Sequence, residues 1–297
     1  MPEPFPFVLD VISPEADVLA GPLRALAAAD GAAAGDITWL APAHAFDIPF
    51  LDTPARVLAA ARDLTGNHAA DINVVAAANR RKRLLIADMD STIIDCEVMD
   101  ELADMAGLKD QVAPITEAAM RGDIAFEPAL RRRVALLKGY PVALLERVWR
   151  ERVHLNLGAQ ELVATMRAHG AYTMLVSGGF TYFAQRVAEA CGFDSVQANN
   201  LLERDGAFTG AIAEPILGRD AKLHALERAV SDLHIAFDDA LAVGDGANDL
   251  AMIQRAGLGV AYRAKPVLNR AAKAIVAHGD LTALLYLQGY RAGEIVR

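Results

Sequence analysis

Leu84-Leu85-Ile86-Ala87-Asp88-Met89-Asp90-Ser91-Thr92-Ile93-Ile94-Asp95-Cys96-Glu97 is the stretch on which the reading of this chain turns. An apolar run, Leu84 to Ala87, stops at two carboxylates, Asp88 and Asp90, separated by one residue, and Thr92 follows. Basic residues (Arg80 to Arg83) precede the run. A short apolar run with such flanks predicts a buried strand of a parallel sheet. In open α/β sheets ligands bind beyond the carboxyl ends of the strands. An unpaired buried charge is costly, so the two aspartates call for a metal, a cation or a phosphate held through a metal.

Three further segments answer that demand. Val243-Gly244-Asp245-Gly246-Ala247-Asn248-Asp249 follows a second apolar run, Ala240 to Val243. Its glycines permit a tight turn, and Asp245 and Asp249 can face one point as a helix begins. Alone, this segment is also plain turn-and-cap chemistry, with Asn248 or Asp249 as N-cap. Beside Asp88 and Asp90 it points to a hard-cation site, and Mg²⁺ suits a few carboxylates completed by water and phosphate oxygens. In Leu175-Val176-Ser177-Gly178-Gly179, Ser177 ends a strand and a helix follows. Amides at a helix start bind anions, although a small-residue turn is an equal reading of this segment alone. Lys222 opens a helix in Gly-Arg-Asp-Ala-Lys-Leu. A lone lysine is ordinarily a surface charge; here it is singled out because two aspartates and a phosphate need a cation.

Two domains are expected from 297 residues. Residues 1–78 read as a small α/β unit with strands at Phe7–Ile12, within Ile37–Leu51 and at Asp71–Ala76. Its helices are expected at Ala16–Ala29, with Gly21-Pro22 as a break, and from Pro54 to about Thr65, capped by Thr53. His44 and His68 read as surface or structural, and Asn79–Arg83 as a charged, solvated linker. Residues 79–297 read as a doubly wound α/β domain. A helical insert at about 97–155 follows its first strand as a cap, with glycines 107, 122 and 139 as breakers. A hairpin is expected at 194–213, turning at Asp205-Gly206.

Composition sets the bounds. Hydrophobic residues make up 54%, enough for a sizeable core, and the net charge of −9 argues against non-specific nucleic-acid binding. No apolar run reaches the length of a membrane span, and Met-Pro-Glu-Pro-Phe-Pro lacks a basic signal-peptide start, so a cytoplasmic location is expected. Cys96 and Cys191 make no disulfide framework; Cys96 reads as a small buried residue.

The four motifs, in order and spacing, resemble those of the haloacid dehalogenase superfamily of phosphohydrolases. Asp-Met-Asp-Ser-Thr, Ser177, Lys222 and Gly-Asp-Gly-Ala-Asn-Asp match its first to fourth motifs. The resemblance tightens to the phosphoserine phosphatases through Ile94-Asp95-Cys96-Glu97, Met120-Arg121-Gly122-Asp123 with Phe126-Glu127, and the run from Leu130 to Gly139. It covers residues 84 to about 290. By element order alone, the N-terminal unit resembles ACT-like amino-acid-binding domains.

The resemblance implies a Mg²⁺-dependent hydrolysis of phosphoserine, the last step of serine biosynthesis. Asp88 would be the nucleophile and become an aspartyl phosphate, and Asp90 the proton donor and acceptor. The metal would be held by Asp88, the Asp90 main-chain carbonyl and Asp245, with Asp249 behind them. Ser177, Gly178, Lys222 and Asn248 would bind phosphate, Glu97 the substrate ammonium and Arg133 its carboxylate. Thr92 is expected to orient the first-motif loop, Met120 and Phe126 to line an apolar gate, and Arg131 and Arg132 to face elsewhere. A related phosphotransferase, a phosphatase for another small metabolite, or a non-catalytic amino-acid sensor are the other readings. Oligomeric state, a homodimer included, is left open.

Overall fold

The structure, a computed structural model, describes residues 5–121, 123–218 and 220–297, and for Asp30, Met120 and Arg121 the main chain alone. The N-terminal unit runs β1 (Phe7–Ile12), α1 (Ala16–Ala27), β2 (Ala33–Ala34), β3 (Thr38–Ala41), β4 (Ala45–Leu51), α2 (Pro54–Leu64) and β5 (Asp71–Ala76). The pairings are all antiparallel: β1 lies between β4 and β5, and both β2 and β3 pair with β4. Side chains alternate across a strand. Leu9 and Val11 therefore join Leu19, Leu23 and Val57 beneath the helices, while Val8 and Ile12 face the opposite way, into a core shared with Leu284, Leu285 and Tyr286. The helix α1 runs unbroken through Gly21-Pro22. Leu19, Ala20, Leu23 and Ala27 are buried on both sides of the proline, and this tertiary burial outweighs its local penalty.

The second unit starts with β6 (Leu84–Ala87), followed by a compact turn at Met89–Ile93, then α3 (Val98–Met105), α4 (Lys109–Arg121), α5 (Phe126–Leu136), α6 (Ala143–Arg152), α7 (Ala159–Ala168), β7 (Tyr172–Phe180), α8 (Thr181–Cys191), β8 (Ser195–Asn199), β9 (Leu201–Arg204) and β10 (Ala207–Ile212). It closes with α9 (Ala221–Asp232), β11 (Ala240–Gly244), α10 (Leu250–Arg255), β12 (Leu258–Tyr262), α11 (Pro266–Asn269), β13 (Ala274–Val276) and α12 (Ala283–Leu287). The six-stranded sheet has the order β13-β12-β11-β6-β7-β8, with every pairing parallel. Chain order reverses between β6 and β11, which makes their carboxyl ends the ligand-binding crevice of a doubly wound sheet. Both strands are fully buried.

Two expectations about connections are corrected. The segment 194–213 is not one hairpin: β8 joins the main sheet, and only β9 and β10 form the hairpin, with Asp205 and Gly206 both left-handed (φ 52° and 77°), the backbone such two-residue turns require. This hairpin docks on the cap. Gly139 N–H donates to the Phe208 carbonyl (2.9 Å), Phe208 N–H to Tyr140 (2.9 Å) and Val142 N–H to Gly206 (3.0 Å). The cap therefore has a β-edge that the span 97–155 omits.

The linker is also more than a solvated connector. The Arg80 side chain is 13% exposed. Its Nη1 lies 2.5 Å from Asp47 Oδ2 and its Nη2 3.6 Å from Asp10 Oδ2, and it donates to the Tyr286 and Leu287 carbonyls at 3.1 and 3.2 Å. Asp10 and Asp47 are cross-strand partners on the sheet face that packs on the second unit. Burial and then Asp47 raise the Asp10 pKa, while Arg80 opposes the rise. His44 stacks edge-on against Tyr286 and His68 pairs with Glu15, both structural roles as expected. Cys96 is partly exposed, not buried as expected, while Cys191 is buried.

Removing one partner of a buried ion pair costs about 3 kcal/mol or more. Arg80→Met is thus expected to lower unfolding free energy by about that amount in a urea melt; an unchanged midpoint would refute the assigned role.

Candidate active site

β6 delivers Asp88 and β11 delivers Asp245 side by side, since Ala87 pairs with Val243 and Asp88 N–H donates to the Val243 carbonyl (3.0 Å). Carboxylate oxygens of Asp88, Asp245 and Asp249 all lie within 4.8 Å of one another, and all three residues are buried. Gly244 makes this approach feasible: a Cβ there would stand 2.4 Å from Asp249 Cγ. Lys222 at the start of α9 is 3% exposed. Its Nζ lies 2.7 Å from Asp88 Oδ1 and 2.5 Å from Asp249 Oδ1. Burial alone would lower the lysine pKa, but Asp249 and Asp88 outweigh burial and hold it above the ordinary value. The lone-lysine surface reading does not apply to it.

Asp88 Oδ1 also accepts the Met89 amide at 2.8 Å, while no hydrogen bond reaches Oδ2 among the described residues. Burial raises the Asp88 pKa well above the carboxylate range, Asp249 adds to the rise and Lys222 opposes it. Asp90 Oδ1 accepts the Val98 amide (3.0 Å), and Oδ2 accepts the Ser177 hydroxyl (3.1 Å). Burial raises its pKa to about 6, against these two hydrogen bonds. Ser177 Oγ in turn accepts the Gly179 amide at 2.8 Å.

Asp249 Oδ2 takes the Gly246 amide at 3.1 Å, and Asn248 folds across Gly246, where a Cβ would stand 2.5 Å from Asn248 Oδ1. Thr92 is fully buried, yet its hydroxyl has no hydrogen-bond partner among the described residues. The expected orienting role falls instead to Asn156, whose Nδ2 donates to the Thr92 and Ile94 carbonyls at 2.9 and 3.1 Å. Ser91 takes a left-handed backbone (φ 55°) and donates its hydroxyl to Glu97 Oε1 at 3.0 Å.

The cap closes over this floor. Phe126, at the start of α5, lies against Gly178, where a Cβ would come 2.8 Å from Phe126 Cζ. The side chain of Met120, expected to share that gate, lies outside the described residues. Glu97 sits at the mouth of the site; desolvation first, then Asp90 and Asp245, push its pKa up to about 7. Arg133 is partly buried on α5. Its Nη1 lies 3.4 Å from the Thr116 hydroxyl, but its buried Nε has no hydrogen-bond partner among the described residues. Burial lowers the Arg133 pKa, against Asp100, Glu97 and Asp90. Arg131 and Arg132 are exposed, and Arg131 pairs with Glu214 at 2.6 Å.

Residues 85–254 match the haloacid dehalogenase-like hydrolase family. The chain belongs to the haloacid dehalogenase-like hydrolases. A phosphoserine phosphatase of Archaeoglobus fulgidus is 45% identical over 206 residues, which are 69% of this chain and 60% of that one. Among solved structures, a HAD family hydrolase from Salmonella enterica serovar Typhi superposes on 95% of this hydrolase and 98% of its own chain, with a TM-score of 0.84 and 29% identity. A phosphoserine phosphatase solved as a phospho-aspartyl intermediate analogue is 37% identical, with a TM-score of 0.65, and matches 69% of this hydrolase and 98% of its own length.

Sequence reasoning missed Asn156 and Lys265. Lys265 places its main-chain N–H on the Asp245 carbonyl (2.9 Å) and its Nζ 3.5 Å from Asp245 Oδ2. A single lysine before Pro266 carries no local signal of that contact.

Lys222→Met would leave Asp88 and Asp249 buried without their cation, at a cost of about 3–5 kcal/mol. Its melting temperature in EDTA is expected to fall, and added divalent cation to raise it by more than in the wild type. Equal shifts in both proteins would refute the charge-balancing role.

Proposed function

We propose that this hydrolase cleaves O-phospho-L-serine to serine and phosphate, with Mg²⁺ as cofactor. The observation that carries the substrate assignment is the buried Nε of Arg133, without a hydrogen-bond partner among the described residues, in a cap that also presents Glu97. A guanidinium is suited to a carboxylate, and Glu97 to the ammonium of the same amino acid. The kinship with phosphoserine phosphatases supports the same reading.

Three buried carboxylates against the buried Lys222 and the half-exposed Lys265 leave an excess of negative charge, and their hard oxygen donors fit Mg²⁺. Asp88 and Asp245, with the Asp90 carbonyl, would hold it, with Asp249 supporting from behind. When bound, the ion supplies Lewis-acid stabilisation of charge on the phosphoryl oxygens. In the first step Asp88 Oδ2 attacks phosphorus, the ester P–O bond breaks, and Asp90 gives its proton to the departing seryl oxygen. In the second, water attacks the aspartyl phosphate, Asp90 takes the proton, and phosphate leaves with Asp88 restored. Lys222, Ser177, Gly178 and Asn248 orient and neutralise the phosphoryl group. The cap, with Phe126 over Gly178, excludes bulk water.

The β-α-β-β-α-β course of the longer N-terminal elements supports an ACT-like domain at residues 1–78. The place of this reaction would be the last step of serine formation, in the cytoplasm. No helix among the described residues is long and apolar enough to cross a membrane.

Asp88→Asn is expected to lower phosphate release from phosphoserine by about 10³-fold or more, and EDTA to abolish release in the wild type. Undiminished turnover in Asp88→Asn would sink the nucleophile assignment. Arg133→Ala is expected to lower kcat/KM for phosphoserine by about 10²-fold while a simple aryl phosphate is nearly unaffected. Equal losses on both substrates would refute the specificity role.

A further inference from the structure

Asp71, the first residue of β5, belongs to the N-terminal unit and is 2% exposed. Its carboxylate is spent on the other unit. Oδ1 accepts the amides of Ala277 (2.7 Å) and His278 (3.1 Å), and Oδ2 accepts that of Gly279 (2.8 Å). The peptide joining Val276 to Ala277 is gripped from both ends. Its N–H donates to Asp71, and its carbonyl accepts the Arg263 amide at 2.7 Å. A peptide unit is planar and rigid, so fixing one end fixes the other.

Arg263 is the next link. It is a non-glycine residue in the left-handed region (φ 43°), a conformation disfavoured for side chains with a Cβ. Two bonds to the Asp71-bound turn hold it there: the amide to Val276 and Nη2 to the Gly279 carbonyl at 3.2 Å. Lys265, two residues on, grips Asp245 through both main chain and side chain. An unbroken run of bonded groups thus joins a carboxylate of the N-terminal unit to a carboxylate of the metal cluster.

We propose that Asp71 is a positioning residue for the metal site: by clamping the 276–279 turn it holds Arg263 in its left-handed conformation and thereby sets Lys265 and Asp245. The N-terminal unit is on this account part of the scaffold of the catalytic centre. The inference rests on the reading of Asp245 as a metal ligand.

The test is Mn²⁺ binding, measured from the free-ion electron paramagnetic resonance signal on full-length protein well below its melting temperature. Asp71→Asn is expected to weaken Mn²⁺ binding by about tenfold, as loss of outer support to metal ligands does. Asn73→Ala is the comparison, because Asn73 also joins the two units, bonding Ile275 through both N–H and carbonyl at 2.8 and 2.9 Å, but does not hold the 277–279 amides. It is expected to lower the melting temperature and leave Mn²⁺ affinity unchanged. Arg263→Ala tests the next link within the second unit, and serves if Asp71→Asn does not fold; it too should weaken Mn²⁺ binding. Unchanged affinity in Asp71→Asn or Arg263→Ala, or equal loss in Asn73→Ala, would overturn the inference. A wild type that binds no Mn²⁺ would instead overturn the metal-site reading beneath it.

Discussion

The ion triad of Lys222 between Asp88 and Asp249 is the interaction on which the site depends. Three aspartates cannot share a buried crevice at neutral pH without a counter-charge, because desolvation and mutual repulsion both favour protonation. The lysine works against the protonation that burial and Asp249 favour at Asp88. Its placement has a second effect. By occupying Asp88 Oδ1 together with the Met89 amide, it leaves Oδ2 as the oxygen without a hydrogen bond among the described residues. The same cation that opposes protonation of Asp88 also selects which of its oxygens is open.

That triad can form only because the sheet brings its members to one place. Asp88 and Asp249 stand 161 positions apart in the chain, but β6 and β11 are neighbours at the point where strand order reverses. Glycines then set the distances: Gly244 admits Asp249, and Gly178 admits the Phe126 ring from the cap. The floor is thus built by close backbone approach, and the roof by one aromatic residue resting on it. The β9–β10 hairpin ties the cap back to the sheet through main-chain bonds. Any cap opening has to occur with that tether in place or by breaking it.

The catalytic floor was legible in the sequence because its parts are local. An apolar run ending in carboxylates, or glycines around an aspartate, is visible within a window of a few residues, and the doubly wound order follows from strand–helix alternation. What was not legible is relational. Arg80 looked like one more charge in a basic linker; only the register of β1 with β4, which sets Asp10 beside Asp47 on a buried face, turns it into a core residue. Asn156 and Lys265 carry no local signature, since each acts through main-chain groups of a distant segment. Thr92 failed in the opposite direction: a residue inside a motif invites a side-chain role, yet its carbonyl takes the hydrogen bond. The Asp205-Gly206 turn is visible in the sequence, but neither the departure of β8 from the expected 194–213 hairpin into the main sheet nor the docking of the remainder on the cap is.

The N-terminal unit illustrates why such contacts matter to function. A sheet with helices on one face leaves the other face to be covered. Here that face carries the buried Asp10, Asp47 and Asn73 among apolar residues. Polar groups in a buried interface are costly unless they find partners, and those of Asp47 and Asn73 are fixed in direction: the Arg80 guanidinium on the linker and the backbone of β13. Apolar contact alone would let the two units slide against each other. Asn73 adds hydrogen bonds to Ile275, and the Asp71 carboxylate, by accepting the consecutive amides of 277–279, allows one register of that turn only. The interface therefore fixes the position of the strand end next to the Arg263–Lys265 loop, and with it the geometry around Asp245.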